Sequence, residues 1–317
     1  MKLATSTYIK VALIVVLCLA VCSWLGGCGR SIWPGSLFVP GGVIGCMGVD
    51  AVGDVADEVR QGIAERGAVA TTDEGSHFEI AASEVNALEL NWLAGRGTVL
   101  VVPDAETGGK VLVDEVVNGG RAPAMVCETG GGVLSISYME GGGGLSGCSS
   151  LSMASKDVTV KVPASLAEHL ALFELEAASG HYEVEGLTCD DLELGVASGK
   201  VNATAMAAQR ASLNVASGSV SVQGSVAEHL EVEIASGTTT LSLGEGAPAE
   251  ASGSLASGKL VLEVPANTRL ATNIDKTSGS FNNELANGGA GSAEDDAPAC
   301  SLDFDILSGN FTVKPVA

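Results

Sequence analysis

The chain has 317 residues, with 38 Asp and Glu against 16 Lys and Arg, for a net charge of −22. Acidity on that scale sets it against nucleic acid and anionic lipid headgroups as partners and favours solubility. Aromatic residues make up only 4% and glycines number 42, which suits a thin core of Val, Leu and Ala between strands rather than a thick sandwich core.

Lys2 and Lys10 precede a charge-free run from Val11 to Leu25. That run is shorter than the roughly 20 residues of a full membrane span and has the length of a secretory h-region. Leu25-Gly26-Gly27-Cys28 follows and resembles a bacterial lipobox, in which Cys28 would become the lipidated N-terminus. An uncleaved anchor from about Tyr8 to Gly27, or simple secretion, are the alternatives. Under the lipobox and anchor readings, the positive charge ahead of the run keeps the N-terminus in the cytoplasm and the rest outside. Residues 1–28 therefore read as leader or anchor, and 29–83 as a juxtamembrane spacer.

Within the spacer, residues 31–48 carry Pro34 and Pro40 and read as irregular chain. Residues 49–67 hold the one convincing helix: Val52, Val55, Val59 and Ile63 follow helical spacing, and Gly67 stops it. Its expected role is a cap or stalk, with a partner-binding helix as the sharper alternative. Residues 68–84 look like a polar link. From Ala87 short alternating stretches begin: LELNW, TVLVVPD, GKVLVDEV, PAMVCE and LSISYM. Trp92 is expected in the core. Residues 140–156 form a Gly/Ser-rich loop, and VTVKVP leads on to the most regular part of the chain.

There a Ser-Gly pair recurs at Gly180, Gly199, Gly218, Gly237, Gly258, Gly279 and Gly309, first at intervals of 19, then 21, and finally 30. Counted from each glycine, positions −7, −5, −3, +2 and +4 are mostly apolar. Around Gly199 these are Leu192, Leu194, Val196, Val201 and Ala203; around Gly309 they are Leu302, Phe304, Ile306, Phe311 and Val313. Steps of two are strand periodicity, and a fixed period near 20 marks a stacked repeat. The apolar spacing jumps across Ser-Gly, so the chain must turn there, and positive φ at glycine is the expected reason for its use. Two folds satisfy the pattern. A β-solenoid makes Ser-Gly a corner between stacked coils; an antiparallel meander makes it a hairpin loop pairing −3 with +2. The constant period favours an all-β, single elongated β-solenoid of about 19–21 residues per coil over residues 84–317. The Gly258 and Gly279 units are degraded, with Gly253 at −5 and Lys276 at −3.

The runs LGVASGKV, LNVASGSVSVQG and VEIASGTTTLSL, with LELNWLAG, SKDVTVKVP and ILSGNFTV, resemble the bacterial β-strand-repeat "putative adhesin" domains of unknown function. The resemblance covers about residues 84–315. It implies a β-helix-like, envelope-exposed domain and no catalytic residue to carry over. The chain departs from that pattern at the Gly-rich stretch 140–148 and the acidic stretch 282–299.

Reactive chemistry is sparse. There is no GxSxG, P-loop or HExxH, no dinucleotide fingerprint following a strand, and no CxxC in the region beyond Cys28. Cys127 and Cys148 flank one strand and could bridge. Asp190-Asp191 and Glu294-Asp295-Asp296 read as solvated acidic turns. Carbohydrate cleavage would need carboxylates stacked on neighbouring coils, and the outward positions read as lacking an ordered acidic ladder. SLAEHL at 165–170 recurs as SVAEHL at 225–230, which suggests that His169 and His229 stand on related corners, too far apart to share a metal. The expectation is a non-enzymatic, membrane-anchored module at the bacterial cell surface, without cofactor or metal. It would bind a surface glycan or protein ligand through outward Ser, Thr, Asn and Lys of coils 180–245. A self-assembling scaffold and a carbohydrate-active β-helix are the alternatives.

Overall fold

The computed structural model describes residues 75–118, 124–138, 155–285 and 299–316. The leader 1–28 with Cys28, and the helix expected at 49–67, lie outside these residues. Strand structure starts inside the stretch read as a polar link, with β1 (His77–Ala81). β2 (Ala87–Trp92), β3 (Gly95–Val102), the one-turn helix α1 (Asp104–Thr107) and β4 (Lys110–Asn118) follow. Next come β5 (Val126–Gly130), β6 (Val133–Ser137), β7 (Ser155–Pro163) and a second one-turn helix, α2 (Ala164–Ala167). The regular repeats are β8 (Leu170–Ala177), β9 (His181–Glu185), β10 (Thr188–Val196), β11 (Lys200–Val215), β12 (Ser219–Ile234) and β13 (Thr238–Ser242). They continue through β14 (Glu250–Leu255), β15 (Lys259–Val264), β16 (Arg269–Lys276), β17 (Ser280–Asn283), β18 (Ala299–Ile306) and β19 (Asn310–Pro315).

Each coil crosses one face, turns at its glycine and returns on a second face. On the first face the strands lie in parallel in the order β2, β8, β10, the second half of β11, the second half of β12, β14, β18, β16. On the second face the order is β3, β9, the first half of β11, the first half of β12, β13, β15, β19, β17. Parallel pairing between coils excludes the antiparallel meander, because no repeat pairs its own −3 with its own +2.

The coils do not stack in chain order at either end. β8 and β9 lie against β2 and β3, while β6 and β7, which come between them in sequence, pair on the outer side of β2 and β3. At the other end the Gly309 coil slots between the Gly258 and Gly279 coils. At the first end, β4 runs antiparallel to β7, β1 antiparallel to β4, and β5 antiparallel to β6.

The corner glycines form one column: Gly95, Gly180, Gly199, Gly218, Gly237, Gly258, Gly309, Gly279. Their role differs from the expected one. Within this column only Gly95 and Gly180 have positive φ. The other six are required by close approach of the neighbouring coil. A Cβ at Gly218 would lie 2.5 Å from the Gly199 carbonyl oxygen, at Gly258 2.6 Å from that of Gly237, and at Gly309 2.7 Å from that of Gly258. Each serine beside them closes the same gap. Ser198 Oγ donates to the Ala178 carbonyl at 3.0 Å, Ser217 to Ala197 at 3.1 Å, Ser236 to Ala216 at 3.2 Å and Ser257 to Ala235 at 3.1 Å. Ser179, Ser308 and Ser278 repeat the bond to Leu93, Ala256 and Leu307.

A second corner lies six residues after the glycine, where Gly186 and Ala205 take φ of 83° and 53°. Ala205 is the sole non-glycine residue with positive φ among the described residues. It bends β11 from the second face to the first, which is how one strand serves both. Between the faces the inward columns are almost wholly apolar. The −5 column runs Leu90, Leu175, Leu194, Leu213, Val232, Gly253, Phe304. Gly253, which reads as degradation in the sequence, has φ of 157°, and a Cβ there would run into the Val232 carbonyl oxygen and lie 3.0 Å from Phe304. A Cβ at Gly97 would run into the Tyr182 ring. Trp92 is buried, as expected, and its Nε1 donates to the Lys156 carbonyl at 3.0 Å.

Gly218→Ala forces a methyl group against backbone and against Val196, whereas nothing lies within 4 Å of a Cβ at Gly246. Chemical denaturation should show a loss of ~1–3 kcal/mol for the first substitution, the usual cost of overpacking. Gly246→Ala should be close to neutral. Equal effects would show that the column does not govern stability.

Candidate interaction faces

The outward side chains form columns because equivalent residues of successive coils sit side by side, about 4.8 Å apart. The second face is mostly small and polar. One column runs Arg96, His181, Lys200, Ser219, Thr238, Lys259, Asn310, Ser280. A parallel one contains Asn202, Ser221 and Thr240. Of the residues expected to form a contact surface, Lys200, Asn202, Ser219, Ser221, Thr238 and Thr240 are brought together on the second face, whereas Ser212 and Asn214 stand on the first. At the head of the first column lies an open cleft of about 530 Å³, lined by Arg96, Asn118, Asp157 and His181 among others. The Arg96 amide donates to Asp157 Oδ1 at 3.0 Å, fixing the wall of this cleft.

The first face corrects an expectation: it does carry an ordered acidic ladder. Glu89, Glu174 and Glu193 are direct neighbours on three consecutive coils. The same column continues through Ser212 to Glu231 and on to Asp303. Beside it stand Glu176, Glu233, Asp305 and Asp275 at equivalent positions of their coils. Alignment of positions −6 and −4 across the repeats would have revealed these columns. Burial pushes the Glu174 carboxyl up to about 7, with Glu89, Glu176 and Glu193 adding repulsion. Glu176 is raised by burial and by Glu193. Asp305 is raised by burial, then by Asp275 and Asp303. On this face Arg210 donates from Nε and Nη2 to the two oxygens of Asp191 at 2.6 and 2.8 Å.

A buried ion pair closes the first end of the stack. Lys156 occupies the place above Gly95 where other coils have their glycine. Its Nζ lies 2.7 Å from Glu115 Oε1, donates to the Tyr138 carbonyl at 2.6 Å and sits 4.2 Å from the Tyr138 ring centroid. Burial lowers the Lys156 pKa, and the Glu115 partner opposes that shift. Removal of one charge would leave the other uncompensated in the interior, so the two act as a unit.

The two SxAEHL segments are out of phase, which corrects the reading of related corners. Leu170 pairs with Cys189, but Leu230 pairs with Ala211, itself opposite Leu192. His169 therefore precedes its strand, while His229 lies within the outward column of Asp191 and Arg210. Cys127, Cys189 and Cys300 are free thiols; Cys148, the suggested partner of Cys127, lies outside the described residues, as do Glu294, Asp295 and Asp296. Burial raises the Cys189 thiol to about 12, with Asp191 adding to the shift, which suits an inert core thiol. Among the described residues no group of three or more His, Cys, Asp or Glu side chains is placed to hold a metal ion, and no helix is long and apolar enough to cross a membrane.

The family model described as Toastrack DUF4097 matches residues 101–314, more than half of the chain. No match was found among the curated proteins. Solved structures give low-identity likenesses. A "putative cell adhesion protein" from Clostridium sporogenes is 14% identical, covers 76% of this chain and 100% of its own, and has a TM-score of 0.35. A "putative adhesin" from Bacteroides fragilis is 14% identical over 76% of this chain and 98% of its own, with a TM-score of 0.39. A "putative adhesin" from Parabacteroides distasonis is 12% identical over 76% and 97%, with a TM-score of 0.43.

A carboxyl whose folded pKa lies above its unfolded value holds its proton more tightly when folded. For Glu174 that stabilisation is fully present below the ordinary value of 4.5 and is lost as pH rises through about 7. The melting temperature should therefore fall from about pH 5 to about pH 8. Glu174→Gln should flatten that slope and raise the melting temperature by a few degrees at the alkaline end. An unchanged slope in the variant would show that the ladder is not strained.

Proposed function

This chain belongs to the Toastrack DUF4097 family, and we propose that it is a non-enzymatic, adhesin-type interaction module at the bacterial cell surface. Cys28, or the uncleaved run before it, tethers it to the membrane. The observation that carries the reading is the alignment of Lys200, Ser219 and Thr238, and of Asn202, Ser221 and Thr240, on one flat face. Donors and acceptors repeated at a constant step offer many weak contacts to a ligand that itself repeats, such as an extended glycan. The Ser and Thr side chains among them lose little entropy on binding. The absence of enclosure along these columns suits a long ligand better than a small one.

The carboxylate stack favours a second reading. Glu174 holds its proton near neutral pH between two acidic neighbours, which is the property of a general acid in glycoside cleavage. The face it stands on is a sheet surface, so among the described residues nothing surrounds a sugar ring from the other side.

One glycan panel, presented to the full chain in detergent, tests both readings. Binding without cleavage is the expected result. Substitution of Lys200, Ser219 and Thr238 by Glu, one at a time, should weaken binding several-fold each and cumulatively. Loss of all binding from any one of them, with folding intact, contradicts a multivalent face. Release of shorter glycans that stops in Glu174→Gln would establish the second reading instead. Radioactive palmitate incorporation that is abolished in Cys28→Ala identifies the lipid anchor; incorporation that survives, or none in the parent chain, rejects it.

A further inference from the structure

The outermost coil at the second end keeps the corner but departs from the others at three inward positions. Follow the inward columns along the stack. The −3 column runs Trp92, Ala177, Val196, Val215, Ile234, Leu255, Ile306 and then Lys276. The −7 column passes through Leu230, Ala251 and Leu302 and ends in Thr272. On the second face the +4 column passes through Leu241, Leu262 and Val313 and ends in Asn283. Three inward positions change from apolar to polar at the same coil, and among the described residues that coil is the last in space though not in sequence.

The coil beneath shows what these positions would otherwise hold. Leu302, Ile306 and Val313 are 0%, 2% and 0% exposed, whereas Thr272 and Lys276 are exposed. Lys276 makes no ion pair among the described residues, so its charge is left for solvent at the end of the apolar column. The core is closed from the other side: Phe281 packs on Phe311 with ring centroids 5.3 Å apart, and Phe311 on Phe304 at 4.6 Å. Leu285 is buried, with its amide held by Asn283 Oδ1 at 3.0 Å.

We propose that the Gly279 coil is a built-in stop: it prevents a second copy of this chain from extending the stack at that end. A parallel stack otherwise ends in two unpaired strand edges over an open core, which is a template for further β-pairing. A second copy docking here would have to bury the Lys276 ammonium and the Thr272 hydroxyl without partners, and to cover Asn283, whose Oδ1 already accepts from the Leu285 amide, at a cost that edge hydrogen bonds do not offset. The other end is closed differently, by the antiparallel β1, β4 and β5. The order of coils follows from the same need. If the coils stacked in chain order, the last would be the Gly309 coil, whose inward residues are all apolar. Insertion of that coil between the Gly258 and Gly279 coils puts the polar one outermost.

Thr272→Leu, Lys276→Ile and Asn283→Val together copy the inward residues of the coil beneath. In sedimentation of the full chain in detergent, this triple variant should show at least a doubling of mass with rising concentration, relative to the parent under the same conditions. Lys276→Ile alone, with circular dichroism and melting checked against the parent, serves if the triple variant does not fold, and it should shift toward the dimer in the same way. A folded variant that sediments like the parent at every concentration overturns the proposal, whether both remain single or both associate.

Discussion

The fold depends on how closely two coils can approach at the corner. At all eight corner positions a carbonyl oxygen of one coil occupies the space in which the next coil would place a Cβ, and Gly95 and Gly180 have positive φ as well. Glycine removes the obstacle, and the adjacent serine hydroxyl bonds across the gap to a carbonyl that the corner would leave without a side-chain partner. A hydrogen bond of this kind contributes about 0.5–1.5 kcal/mol. Its larger effect is on register. With the corner fixed in one column, every position before and after it is fixed as well, and the inward and outward columns on both faces are consequences.

That register separates chemistry by face. Inward columns interlock large with small, as with Gly253 under Phe304 and Gly97 under Tyr182. Outward columns repeat whatever residue type occupies the position, so a modest preference in one repeat becomes an array when stacked. The first face gathers carboxylates until burial and mutual repulsion raise Glu174, Glu176 and Asp305. The second face stays short, polar and nearly neutral. The array has an open cleft at its first end and a polar coil at its second.

The period, the corners and the inward positions were legible in the sequence, because burial on alternate residues leaves a trace in every repeat. Trp92 was placed correctly by its position before Gly95. The order of the coils was not legible: periodicity says that Gly258, Gly279 and Gly309 head similar units, not which unit touches which. The reason for the glycines was misread as well, since turn geometry and close approach leave the same residue in the sequence. The corner at Ala205 escaped because alanine gives no sign of positive φ. The acidic ladder was visible only after alignment on the corner, where Glu89, Glu174 and Glu193 share a position. The repeated SxAEHL segments misled, because an identical string in a different phase meets different neighbours. The buried pair of Glu115 and Lys156 left no signal, because it joins residues of two strands separated by two further elements.

Disulfide trapping reads the coil order directly. Lys259 and Asn310 are register partners about 4.8 Å apart, within the reach of a disulfide, while Lys259 and Ser280 are two coils apart, about 9.6 Å, and beyond it. Lys259→Cys with Asn310→Cys should close an intramolecular bond under mild oxidation, and Lys259→Cys with Ser280→Cys should not. The opposite outcome would mean that the coils stack in chain order and that the column of corners is built differently.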